Sequence, residues 1–132
     1  MKKVKNLIFI LCILGTAITA KAAPAFDIPV KIFKAIELGN IENLSDYFNE
    51  SVELILMDEE GIYSKAQATQ ILKDFFNKNR PESFSVLHQG GSEKVKYAIG
   101  TLETKSGKYR INFLVKMRDK EPLIHQLRIQ EE

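Results

Sequence analysis

The chain has 132 residues, with 19 Lys and Arg against 17 Asp and Glu, a single Cys and no Trp. That length suits one domain with one core. One cysteine excludes both a disulfide framework and a cysteine-built metal site.

The basic excess lies at the start of the chain. Lys2, Lys3 and Lys5 form a basic n-region, Leu7 to Ile18 is a short apolar run, and Ala20-Lys21-Ala22 is a small-residue cleavage site before Ala23. This is the form of a secretory signal peptide. A membrane span needs roughly 20 apolar residues, so the short run disfavours the alternative of an uncleaved anchor. Cys12 follows Leu11 rather than the small residue that precedes a lipidated cysteine, so it is read as filler. Residues 1–22 are therefore expected to be removed after Ala22, leaving residues 23–132 as one secreted or periplasmic domain. Its contact with a membrane would be through the signal peptide alone, before cleavage. Lys2, Lys3, Lys5 and Lys21 leave with the signal, so 15 bases face 17 acids and the net charge becomes −2. A nucleic-acid partner, which wants a basic domain, is not expected.

Asp27, ahead of Pro29, is the expected N-cap of a first helix whose buried stripe is Ile28, Ile32, Ala35 and Ile36. Gly39 supplies the left-handed residue that ends it. Asn40 caps a short second helix from Ile41 to Phe48. A hairpin follows: Ser51 to Met57, a turn at Asp58 to Gly61 with Gly61 at positive φ, then Ile62 and Tyr63. Ser64-Lys65-Ala66-Gln67 has the form of a capping box. Ala68, Ile71, Leu72 and Phe75 recur at helical spacing behind it. Pro81 closes that helix near Asn79.

Beyond Pro81 the pattern has period two. The inward sets read as Phe84, Val86 and His88; Val95, Tyr97, Ile99 and Thr101; Tyr109, Ile111, Phe113, Val115 and Met117; and Leu123, His125, Leu127 and Ile129. Short connections make these four strands an antiparallel meander. The expected fold is α+β: one sheet with the helices on one face.

Leu38-Gly39-Asn40 with Leu44, Tyr47 and Phe48, the strand Val52-Glu53-Leu54, and Gly61 leading into Ser64 and Phe75-Phe76 resemble the nuclear transport factor 2-like superfamily. Ketosteroid isomerases and scytalone dehydratases share that cone-shaped fold. Within it the chain looks most like small secreted proteins of Bacteroidota, grouped as a domain-of-unknown-function family. The resemblance implies a curved sheet wrapped by helices, an apolar cavity between them, and dimerisation through the outer sheet face. It does not imply an activity.

His88, Tyr97, Tyr109 and His125 share the inward parity and are the candidate pocket. An imidazole can shuttle protons and a phenol can polarise a carbonyl. The plainer reading makes them core or rim residues with satisfied hydrogen bonds. Ketosteroid isomerase-like chemistry uses a carboxylate base in an apolar cavity. Here Glu53 reads as outward and Glu103 sits near a strand end. Two histidines fall short of a zinc ligand set, so no metal is expected, and nothing calls for a cofactor. Lys94, Lys96, Arg110, Lys116 and Arg128 form an outward basic stripe, most simply a solvated face. Leu102, Leu114 and Ile124 on that face suggest a dimer patch. The expectation is a non-catalytic domain that binds a small apolar or amphipathic ligand or a protein partner. The alternatives are an isomerase or lyase using a His/Tyr pair (His88 or His125 as base), and a structural homodimer.

Overall fold

Pro29 starts the first helix, α1 (Val30–Leu38), in a computed structural model that describes residues 26–132. The expected signal peptide lies outside the described residues. Asp27 is not the cap. Pro29 itself occupies the N-cap position with φ −55°, no side chain caps the helix, and Asp27 sits two residues too early to reach its first amides. Gly39 closes α1 at φ 65°, its amide donating to the Ile36 carbonyl at 3.1 Å. The Asn40 side chain then accepts from the Asn43 amide and caps α2 (Ile41–Ser45). This helix is shorter than expected, because Phe48 already opens strand β1 (Phe48–Leu56).

Strand β2 (Glu59–Ser64) follows a two-residue turn at Met57-Asp58, with Met57 in the left-handed region at φ 54°. Gly61 is thus not a turn residue. It lies inside β2 under the Tyr63 ring, where a Cβ would stand 2.8 Å from the Tyr63 hydroxyl oxygen. Helix α3 (Lys65–Lys78) carries the full capping box of Ser64 and Gln67 and ends at Asn79. Four strands complete the chain: β3 (Pro81–Gly91), β4 (Val95–Thr104), β5 (Gly107–Arg118) and β6 (Glu121–Glu131).

All six strands join one sheet in the order β2-β1-β6-β5-β4-β3. Every neighbouring pair is antiparallel except β1 and β6, which run parallel. The α+β class and the closing meander are as the sequence led us to expect. The helices cover one face, here the inner face. Ile32 and Ile36 of α1, Leu44 of α2 and Leu72 of α3 meet Leu102, Ile111, Phe113, Ile124, Leu127 and Ile129 of the sheet. Burying each such side chain contributes on the order of 1.5–3 kcal/mol.

Of the register shifts in the sheet, two decide where the histidines of β3 and β6 lie. In the β3–β4 ladder Val86 opposes Gly100, yet His88 opposes Ile99, so Leu87 is an extra residue. In the β5–β6 ladder Leu114 opposes Gln126 while Val115 opposes Ile124, so His125 is extra. One extra residue moves everything beyond it to the opposite face. Strand β4 has no extra residue and pairs with β5 without a shift, and its inward set is Ala98, Gly100, Leu102 and Thr104, opposite Phe113, Ile111 and Tyr109, not Val95, Tyr97, Ile99 and Thr101. Small residues suit this crowded face: the Phe84 ring lies across Gly100 and leaves no room for a Cβ. On β6, Leu127 and Ile129 point inward as expected, but Ile124 replaces Leu123 and His125. Leu102 and Ile124, expected on the outer face, are both fully buried in the core.

Candidate functional site

The four candidate residues do not converge. The β3–β4 ladder pairs His88 with Ile99 and Gly90 with Tyr97, which sets His88 and Tyr97 diagonally on the outer face. His88 Nε2 and the Tyr97 hydroxyl are hydrogen-bonded at 2.8 Å, with ring centroids 5.5 Å apart. The Tyr97 ring covers Gly90, where any Cβ would meet its hydroxyl. His88 is exposed.

Tyr109 belongs to the inner face. It packs edge-on against Phe75 at 5.2 Å, and its hydroxyl donates to Asn79 Oδ1 at 3.0 Å. Ser106 Oγ donates to the same oxygen at 2.6 Å, while Asn79 Nδ2 donates to the Phe75 carbonyl at 3.0 Å. One amide thereby ties the end of α3 to the β4–β5 turn. Asn79 was visible in the sequence as a helix terminator and invisible as a hub, because its partners Ser106 and Tyr109 are far along the chain.

His125 stands apart from both, in the β6 bulge. Its Nε2 is buried without a hydrogen-bond partner. Burial first, and then the charges of Lys116 and Arg118, hold its pKa below the ordinary imidazole value of 6.5. No carboxylate is hydrogen-bonded to the ring among the described residues. Glu53 lies outward as expected and accepts from Gln126 Nε2 at 3.1 Å. Glu103 sits 3.5 Å from Lys108 Nζ near the end of β4. Neither is placed as a buried base.

The interior beneath the helices is occupied by rings. Phe33 meets Phe113 at 5.7 Å, and Phe75 lies between Phe76 and Tyr109. Clefts occur at the surface instead. One of about 320 Å³ lies between α1 and α2, lined by Lys31, Lys34, Ala35, Leu38 and Tyr47. Another of about 300 Å³ lies at the β5–β6 turn, where Arg118 donates to the buried Asn49 at 3.0 Å. None of the four candidate residues lines either cleft. Among the described residues no group of three or more His, Cys, Asp or Glu side chains is placed to hold a metal.

The outer face is mixed. Ile99, Leu114 and Leu123 are half-buried there beside Thr101, Asn112 and Gln126. Of the expected basic stripe, Lys116 and Arg128 are exposed on this face, and Arg110 is held by Glu132 at 2.6 Å. That bond is the main reason the Glu132 carboxyl titrates below its ordinary range. Lys96 pairs with Val115 and so falls on the inner parity instead.

A six-stranded sheet, a capped long helix and two N-terminal helices on one face define the nuclear transport factor 2-like α+β class. A designed protein of that type matches with a TM-score of 0.62 over 76% of this chain and 90% of its own, at 12% identity, a likeness of fold alone. Residues 29–130 match the family described as "Domain of unknown function (DUF4783)", and the chain belongs to it. A DUF4783 protein from Bacteroides ovatus is 34% identical, with a TM-score of 0.78 over 80% of this chain and 96% of its own. One from Bacteroides fragilis is 33% identical, with a TM-score of 0.77 over 80% of this chain and 100% of its own. No curated protein matches the sequence.

Proposed function

We propose that this chain is an exported, non-catalytic binding module that pairs with a second copy through the outer face of its sheet. One observation carries the reading: rings occupy the inner face, while Tyr97, Ile99, Leu114 and Leu123 lie on the outer one. A small apolar ligand would have to displace Phe75 or Phe113, so a protein partner is favoured over a ligand. Charge supports a second copy. Glu53 and Glu60 lie on the β1–β2 side of this face, and Arg128, Arg110 and Lys116 on the β6–β5 side. A two-fold rotation lays the acidic flank of one copy on the basic half of the other, as an isologous interface requires. Export rests on the N-terminal signal pattern. Proton-transfer chemistry has only the His88–Tyr97 pair in its favour, and that pair is open to solvent without a carboxylate bonded to it.

Light scattering on purified residues 23–132 tests the pairing. The chain is expected to be a dimer, and Leu114→Glu to return it to a monomer with unchanged circular dichroism. A wild-type monomer at high micromolar concentration would sink the reading.

A further inference from the structure

The cleft between α1 and α2, of about 320 Å³, joins an apolar floor to a cationic rim. Lys31, Lys34, Ala35 and Leu38 are spaced three and four residues apart, so they share one flank of α1. Ala35 is buried at the base of the cleft, and the half-buried Tyr47 lines it where α2 gives way to β1. Leu38, in the last position of α1, is nevertheless 63% exposed, and Val30, further along the same row, is 78% exposed. The two lysines stand three residues apart, where like charges repel. Glu37 lies 3.7 Å from Lys34 Nζ and offsets one of them, while Lys31 is in no ion pair among the described residues. Asp46 is the carboxylate among the lining side chains, against two ammonium groups.

We infer that this cleft binds a single-chain anionic amphiphile of the alkyl carboxylate or alkyl sulfate class. The alkyl chain lies on Ala35, Leu38 and the Tyr47 ring, and the head group sits between Lys31 and Lys34. Covering Leu38 and the alkyl chain together removes apolar surface of both from water, which supplies the affinity. The head group supplies the counter-charge that Lys31 lacks, which selects the sign of the ligand. A cationic amphiphile would meet two like charges at the same place. A bilayer fits less well, since a flat surface reaches Val30 and Leu38 but not the buried Ala35. The ring-filled inner face plays no part. The inference is also independent of the outer-face dimer, because the helices that form the cleft cover the opposite face of the sheet.

The probe is sodium decanoate, titrated into residues 23–132 and followed by backbone NMR shifts, with sodium acetate and decyltrimethylammonium as controls. Decanoate is expected to give saturating shifts at Lys34, Ala35, Leu38 and Tyr47, and acetate none. The cationic amphiphile is expected to bind about tenfold more weakly or worse. Lys31→Glu combined with Lys34→Glu is expected to weaken decanoate by about tenfold, and Leu38→Gln by about fivefold. All three side chains are exposed, so the fold is kept. Leu114→Glu is expected to leave decanoate binding unaltered, which separates this test from that of the dimer. Mixed phosphatidylcholine and phosphatidylglycerol vesicles are expected to leave Ala35 and Tyr47 unshifted. Shifts confined to the core around Phe113 or to the outer face, equal binding of the cationic amphiphile or of acetate, or an unweakened double variant overturns the inference. So does a cleft that the vesicles engage as well as decanoate does, or the absence of any saturating shift.

Discussion

The inner and outer faces of this sheet carry the same kinds of side chain and use them differently. Each face has a tyrosine whose hydroxyl is hydrogen-bonded: Tyr109 to Asn79 within the core, Tyr97 to His88 in solvent. On the inner face the bond satisfies a polar tip that could not otherwise be buried. On the outer face water could replace either partner. The same chemistry is thus structural on one side and available to a partner on the other. A surface is open to function where its polar groups are not already required by the fold.

The sharpest way to break this contrast is through volume. Phe113→Ala, at a site 2% exposed, is expected to cost about 3–5 kcal/mol in urea unfolding, whereas His88→Ala should stay within about 0.5 kcal/mol. Comparable losses would mean that the outer pair is part of the fold. The two tyrosines offer a finer comparison. Tyr109→Phe strips the half-buried Asn79 oxygen of one of its two donors and is expected to cost about 1 kcal/mol; Tyr97→Phe should cost less than about 0.5 kcal/mol. Smallest is the effect of pH. Burial, and then the charges of Lys116 and Arg118, put the pKa of His125 in the folded state below its unfolded value. Its stabilising contribution is complete above the unfolded pKa of about 6.5 and is lost as pH falls through that value toward the folded one. His125→Gln should therefore flatten the decline in stability between about pH 7 and pH 5, and an unchanged slope would place the titrating group elsewhere.

Local chemistry made the helices legible. The Ser64–Gln67 box, Gly39 and Asn40 each act through atoms within a few residues, and each does what its residue type suggests. The strands were legible in number and order for the same reason, since turns and alternation are local. Facing was not. A bulge at Leu87 or His125 has no signature of its own, and either one reverses the side of every residue beyond it. On β4 both parities contain apolar residues, and the bulkier set lost to Ala98 and Gly100 because Phe84 needed the space. The candidate pocket was inferred from parity alone. It therefore came apart at the bulges beside His88 and His125 and at the parity of β4, which puts Tyr97 outward, while Tyr109, on the unbulged β5, fell where alternation put it.

The parallel pairing of β1 with β6 has a consequence in time. Leu54 lies against Leu127, and Leu56 against Ile129, so the first strand reaches its neighbour only through one of the last segments of the domain to be made. Until then the β1–β2 hairpin has no sheet to join, and β5 has an open flank where β6 will lie. Assembly is therefore held back until residue 129 has left the ribosome, and a chain cut short before Glu121 would lack the strand that joins its two halves.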